Sequence, residues 1–317
     1  MRNGLIAWYN FFCLVFVIHA HLLHAHGCFA MVRIEKLVVP LFSILAGYSW
    51  GGLLKRTRGD GAIYGLKLFL YPYLFWSAMY MLLNDVFLDC FVRHCGFELS
   101  LGDVVYNLFT GYSALHLWFL ITLVYVSLII TWLYRMFHGS MWYGIAVAAL
   151  LALSIIVPEM DFMATPNRYV EYFHTWFFWV LPGFSIGLLA AIPKSKVYEK
   201  RWIKSYALPS MWILGVIMLF CGHGRGIELP LAAALIVTAL VFPRVDTPKW
   251  TVATISYIMG VYLIHALFTS AFNVALRLTP EHPLPELLAW PVAVIIFFVS
   301  WGVVWALRKI PVVKNLV

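Results

Sequence analysis

Charged residues are scarce in this chain of 317 residues, where Asp, Glu, Lys and Arg together make up 11%. Soluble proteins carry about 25% charged residues and about 45–50% apolar residues, whereas apolar residues reach 63% here. A soluble fold of this size lacks the charged surface to cover such a core, and disorder needs the opposite composition. Five cysteines are too few for a secreted disulfide scaffold. The composition therefore indicates a membrane protein.

Long apolar runs alternate with short polar segments, and most runs approach the ~20 residues that a helix needs to cross a bilayer. Helices are the expected form of these runs, because hydrocarbon cannot satisfy the open edge of a sheet. The sequence predicts an all-α polytopic bundle of about ten transmembrane helices, with residues 1–317 forming one domain. The predicted spans are 4–26, 37–54, 62–83, 115–137, 141–157, 174–192, 205–222, 229–243, 251–272 and 289–307.

Basic residues are concentrated on one side of the predicted spans. Fifteen Lys and Arg residues lie in segments on the same side as the N-terminus, and six lie on the other side. Acidic residues show the opposite bias, with three and eleven. Because Lys and Arg favour cytoplasmic segments, both termini are expected in the cytoplasm. The net charge of +8 thus reports topology, and no nucleic-acid partner is expected.

The longest predicted outer segment, roughly 84–114, has two features of its own. Cys90 and Cys95 in CFVRHC would face an oxidising compartment, so that either a disulfide or two free thiols is compatible with the sequence. The run DVVYNLFTG at 103–111 predicts a short amphipathic helix at the outer surface.

Four histidines lie in the outer half of the first predicted span: His19, His21, His24 and His26. Ionisable side chains inside a membrane are costly, so each is a functional candidate. An imidazole titrates near working pH and suits a general base; His21 is the first choice and His19 the second. A zinc or copper site is the alternative, but no Cys or carboxylate lies nearby in the sequence, and no metal is expected. His24 and His26 fit interfacial positions.

Three further polar residues have both a structural and a functional interpretation. His265 ends YLIH in the middle of span nine, where a hydrogen bond within the bundle and a site role are both open. His116 opens HLWFL at the outer end of span four, a position typical of an aromatic belt as well as of a site. Lys67 in span three either extends to the lipid headgroups or contacts an anionic phosphate.

Five apolar strings, spread over nearly the whole chain, occur in an order that resembles the acyltransferase-3 family of integral-membrane O-acyltransferases. They are VVPLFSILAGY, KLFLYPYLFWS, HLWFL, WVLPGFSIG and SYIMGVYLIHALF. The family carries an Arg and a His in its first span with ten residues between them. Asn10 stands at the Arg position if His21 is that His, and Trp8 does so if it is His19. Asn10 donates hydrogen bonds but supplies no fixed positive charge.

The resemblance implies transfer of an acetyl group from cytoplasmic acetyl-CoA, as a substrate, to a sugar hydroxyl at the outer face of a bacterial inner membrane. The acceptor would be a cell-surface or lipid-linked glycan, and a homo-oligomer is left open. The first-span histidine would deprotonate the hydroxyl, and the other histidines would orient it or stabilise the oxyanion. The residues placed in these roles are His21, His19, His116 and His265 for acyl transfer, and Lys67, Asn10 and Arg58 for donor binding.

A different class of function is a proton-coupled transporter or glycan flippase that uses the intramembrane histidines as a relay. No repeated halves are visible in the sequence, and the acidic residues fall in loops or at the ends of spans. Dependence on acetyl-CoA separates the enzyme from the transporter.

Overall fold

The structure is a computed structural model that describes residues 4–24, 37–83, 100–111, 113, 116–157, 177–192, 195–221, 227–243, 248, 257–276, 284–311 and 313–314. These residues form helices and turns, without a β-strand among them, which confirms the all-α prediction. The helices are α1 (Gly4–His24), α2 (Val38–Thr57), α3 (Ala62–Met81), α4 (Leu101–Thr110), α5 (Leu117–Phe137), α6 (Met141–Ile156), α7 (Phe178–Ala191), α8 (Ser195–Tyr198), α9 (Leu208–Cys221), α10 (Leu229–Val241), α11 (Ile258–Ala275) and α12 (Glu286–Leu307). A π-helical turn, Ile203–Ala207, leads into α9.

Each predicted span overlaps one of these helices. Five are long and apolar enough to cross a membrane: Gly4–Leu23, Val38–Thr57, Leu117–Phe137, Ile258–Ala275 and Leu287–Leu307. Met141–Ile156, Phe178–Ala191, Ile203–Met218 and Leu229–Val241 are shorter apolar helices. Large apolar side chains such as Trp142 and Ile213 are more than 60% exposed, an arrangement that lipid tolerates and water does not. The number of crossings and their orientation stay predictions.

The chain divides into two compact units. The first combines Met1–Gly51 with Pro182–Asn315, and the second is Gly52–Leu181. In the first unit, α1, α11 and α12 pack against one another, and the Phe11 ring meets Phe297 edge to face at 4.9 Å between centroids. Helices α9 and α10 also pair there, where the Trp212 indole donates to the Thr238 hydroxyl over 2.9 Å.

Glycines allow α2 and α7 to meet backbone to backbone in the first unit. A Cβ on Gly187 would lie 2.7 Å from the Tyr48 nitrogen and closer still to the Ile44 carbonyl oxygen. A Cβ on Gly47 would collide in the same way with the carbonyl oxygen of Phe184. Small residues at such spacing allow membrane helices to approach closely, so that van der Waals packing stabilises the crossing.

The second unit contains the surface helix that the sequence predicts at 103–111, and the structure confirms a helix there as α4. Ser100 caps it by accepting a hydrogen bond from the Asp103 backbone nitrogen over 3.1 Å. Gly111 ends it at a φ of +76°, where an added Cβ would lie 2.5 Å from the Trp118 backbone. The Tyr73 hydroxyl donates to the Leu108 carbonyl over 2.6 Å. The Ser100 cap, the left-handed Gly111 and the hydrogen bond from Tyr73 thus hold this helix in the unit.

Candidate histidine site

Two of the predicted site residues meet in the first unit, although 244 positions separate them in the sequence. The Nδ1 of His21 on α1 lies 3.0 Å from the Nε2 of His265 on α11. Their rings are nearly parallel, with 23° between planes and 5.0 Å between centroids. His265 is completely buried, whereas His21 is partly exposed. One imidazole of the pair is therefore enclosed by protein and the other is accessible.

The hydrogen bonds of His265 determine which nitrogen of each ring carries the proton. Its Nδ1 lies 2.7 Å from the carbonyl oxygen of Tyr262 and 3.3 Å from that of Val261. A carbonyl oxygen only accepts, so Nδ1 of His265 holds the hydrogen and Nε2 of the neutral ring is an acceptor. His21 therefore donates through Nδ1. The Nε2 of a neutral His21 ring is left with its lone pair, which is what a general base requires.

His19, the second candidate for the base, occupies a different environment. Its fully buried ring stacks on the Trp290 indole of α12, with 3.8 Å between centroids and 17° between planes. Phe16 meets the same indole edge to face at 4.9 Å. The neighbouring histidines of α1 thus divide into one that pairs with an imidazole and one that packs in an aromatic cluster. The side chain of His24, and all of His26, lie outside the described residues.

The remaining predicted residues are distributed as follows. Asn10 donates through Nδ2 to the Ile6 carbonyl of its own helix over 2.8 Å. His116 belongs to the second unit, where it is buried just before α5 with its ring edge-on to Tyr80 at 5.2 Å. Lys67 and Arg58 are exposed in the second unit, and Arg58 has a φ of +50° in the turn after α2.

The sequence did not single out the groups that hold His265 and His19 in place, which are the Tyr262 carbonyl and the Trp290 ring. The Tyr262 carbonyl precedes His265 by three positions, so the spacing was visible, but the bond depends on the rotamer of the imidazole. The Trp290 contact joins distant parts of the chain and has no local signal.

Within the described ranges, no three His, Cys, Asp or Glu side chains come together as a metal site. Cys90 and Cys95 lie outside those ranges.

Comparison with known proteins identifies the family of this chain. A family model described as an acyltransferase domain, Acyl_transf_3, matches residues 9–309. No curated protein and no solved structure matches the chain. The matched segment includes α1 from Tyr9 onward and all of α11 and α12, and hence both histidines of the pair. Because the match covers nearly all of the 317 residues, this apolar helical chain belongs to the acyltransferase-3 family of membrane acyltransferases.

Proposed function

We propose that this chain transfers an acetyl group from acetyl-CoA in the cytoplasm to a sugar hydroxyl of a cell-surface or lipid-linked glycan at the outer face of a bacterial inner membrane. The observation that carries the proposal is the His21–His265 pair. A partly exposed imidazole, oriented by a second imidazole that is itself bound to a backbone carbonyl, is an arrangement suited to deprotonating a hydroxyl. Membership of an acyltransferase family supplies the reaction class.

In the proposed reaction, the Nε2 lone pair of His21 takes the proton of the acceptor hydroxyl. The hydroxyl oxygen attacks the thioester carbonyl carbon, and the tetrahedral intermediate then expels the CoA thiolate. The thiolate takes a proton from the His21 imidazolium, which restores the neutral ring. One C–S bond breaks and one C–O bond forms, and the products are an acetyl ester and free CoA. No metal or redox partner takes part in this balance.

His265 serves as a positioning residue in this scheme, because it acts through His21. Its Nε2 accepts from the His21 Nδ1–H over 3.0 Å, which holds the ring in the required tautomer and stabilises the imidazolium that forms. The Tyr262 carbonyl prevents His265 from adopting the opposite tautomer. His265, His21 and the acceptor hydroxyl correspond in this scheme to the carboxylate, the imidazole and the hydroxyl of serine hydrolases.

Mass spectrometry of surface glycans tests the activity. We would compare a deletion strain with strains that express the wild type, His21→Ala or His19→Phe at equal membrane levels. Loss of the mass of one acetyl group per modified sugar is expected in the deletion and in His21→Ala, since a general base contributes roughly 10²–10⁴-fold. His19→Phe keeps an aromatic ring against Trp290 and is expected to retain acetylation. Full acetylation in His21→Ala would refute the assignment of the base.

Paired variants of His265 separate positioning from packing. Gln has an N–H to donate to the Tyr262 carbonyl and an oxygen to accept from His21, whereas Leu has neither. We expect His265→Gln to keep measurable transfer and His265→Leu to lose it by about tenfold or more, with both variants folded. Equal loss in both folded variants would show that the hydrogen-bond chain does not matter. A wild-type protein without acetyl-CoA-dependent transfer would favour the transporter.

A further inference from the structure

A cluster of cations and aromatic rings lies at the end of the first unit where α11 begins and α12 ends. The Arg308 guanidinium carbon is 4.8 Å from the centre of the Tyr257 ring, and the Trp301 ring meets the same tyrosine edge to face at 6.1 Å. One turn away, the Lys309 ammonium is 3.5 Å from the centre of the Trp305 ring. Two positive charges are thus held on aromatic faces within a single turn of chain.

The Trp301 indole adds a donor to this cluster. Among the described residues, its Nε1 is buried and has no hydrogen-bond partner. An indole N–H only donates, and a donor enclosed without an acceptor is unfavourable in a native protein. This contrasts with Trp212, whose N–H meets the Thr238 hydroxyl. The Trp301 N–H is therefore a donor that an acceptor bound at this cluster would satisfy.

The position of Arg308 makes it a suitable receptor for an anion. Partial burial lowers the pKa of its guanidinium, although the nearby Tyr257 acts in the opposite direction. A guanidinium that has lost part of its water gains more from an anionic partner than an exposed one does. Its planar fork also matches two oxygens of one phosphate, and aromatic contacts keep that fork in a fixed place.

We propose that Arg308, Tyr257 and Trp301 form a phosphate-binding site, with Lys309 as the outer cation. A phosphate offers negative charge and several acceptor oxygens, which suit both a guanidinium fork and an indole N–H. His265 lies eight positions after Tyr257, about 12 Å at the rise of a helix. A donor anchored by its nucleotide phosphates at this cluster would direct its flexible arm along α11 towards the histidine pair. Identification of that phosphate as the donor's rests on the proposed function.

The two sources of phosphate are the nucleotide end of acetyl-CoA and the headgroup of an anionic lipid, and two assays distinguish them. The first measures binding of adenosine 3′,5′-bisphosphate to the purified protein and the KM for acetyl-CoA. The second measures the anionic phospholipid that copurifies with the protein. Both compare wild type with Arg308→Gln and with Trp301→Phe, which keeps a ring but removes the N–H. Lys314→Gln removes an exposed charge close by in the chain and serves as the control.

We expect Arg308→Gln to weaken bisphosphate binding and to raise the KM for acetyl-CoA about tenfold. The kcat should be unchanged, because Arg308 would bind the donor phosphates equally well in the ground state and in the transition state. Trp301→Phe should show a smaller increase and Lys314→Gln none. The KM for S-acetyl-pantetheine, a donor without phosphate, should be the same for the wild type and for all variants. If only the bound lipid decreases in Arg308→Gln, the site is confirmed and its ligand is a lipid.

Three outcomes separate this inference from the proposed function. Unchanged bisphosphate binding, KM and lipid in both site variants would overturn the phosphate site and leave acetyl transfer intact. A wild type that binds bisphosphate through Arg308 but transfers nothing from acetyl-CoA would overturn the proposed donor and leave the site. If Lys314→Gln weakens bisphosphate binding as much as Arg308→Gln does, the binding is a general electrostatic attraction to this end of the protein, and the proposed site is overturned.

Discussion

The crossing of α2 and α7 provides a test of the packing that supports the first unit. In Gly187→Ala, the new Cβ would lie 2.7 Å from the Tyr48 nitrogen and nearer to the Ile44 carbonyl. Contacts between carbon and polar backbone atoms need about 3.3 Å or more. Both obstacles belong to the backbone of α2 and cannot rotate away. The two helices must therefore separate by more than the roughly 0.6 Å that the Tyr48 contact alone requires, because the Ile44 oxygen is nearer still.

The cost follows from that separation. A gap of 0.5–1 Å already loses roughly a quarter to a half of the contact energy of each facing atom. Insertion of a methyl into a packed interior costs about 1–3 kcal/mol, and rigid obstacles place Gly187→Ala near the upper end. Replacement of a helical glycine by alanine stabilises the protein by about 1 kcal/mol, because alanine loses less backbone entropy on folding. We expect a net loss of about 2 kcal/mol in the free energy of unfolding.

Gly302→Ala on α12 is the matched control, because an added Cβ there meets no atom of the described residues within 4 Å. Alanine loses less backbone entropy on folding than glycine does, and at position 302 this stabilisation comes without the collision. The Gly302→Ala variant should therefore be neutral or stabilised by up to about 1 kcal/mol. Unfolding in detergent, followed by tryptophan fluorescence, measures both variants. A Gly187→Ala protein as stable as Gly302→Ala would refute the backbone crossing. Gly47→Ala, which meets the Phe184 carbonyl, tests the same contact from the other helix.

Two further substitutions test the other contacts described. Gly111→Ala forces an L side chain to a φ of +76° and places its Cβ 2.5 Å from the Trp118 backbone; faster proteolysis between α4 and α5 is expected, and wild-type resistance would contradict it. Thr238→Val removes the acceptor of the Trp212 indole and should lower the free energy of unfolding by about 1–3 kcal/mol. The loss should be smaller in a Trp212→Phe background, where only the bond that the Thr238 hydroxyl donates to the Ala234 carbonyl is removed. A loss of equal size in both backgrounds would show that the indole hydrogen bond contributes nothing.

The helices were predictable because their signal is local. An apolar run of sufficient length dictates a helix wherever it lies, and α1, α5 and α12 occur where the sequence predicts spans. The π-helical turn Ile203–Ala207 was not predicted. It precedes Pro209, which lacks a backbone N–H and disturbs the carbonyl four residues earlier, so the cause was visible although its form was not.

The site was predictable in its members and not in its connections. Helical periodicity indicates which face of α1 carries His21, but it contains no information on which other helix that face meets. The pairing with His265 and the stacking of His19 on Trp290 both depend on packing across the fold. The partner of Asn10 was also not predictable. Its side chain donates to the Ile6 carbonyl of its own helix, and the sequence alone does not distinguish this rotamer from others that an asparagine adopts in a helix.

The pairing of His21 with His265 also sets a minimum time for this site to assemble during synthesis. The ribosome must add the 244 positions that separate the two histidines before the second imidazole exists. At roughly 5–20 residues per second this takes about 10–50 s, during which α1 emerges without its partner from α11. Every nascent chain that ends before His265 lacks the imidazole that pairs with His21, so a ribosome that stalls in the middle of the message leaves a fragment in which this pair cannot form.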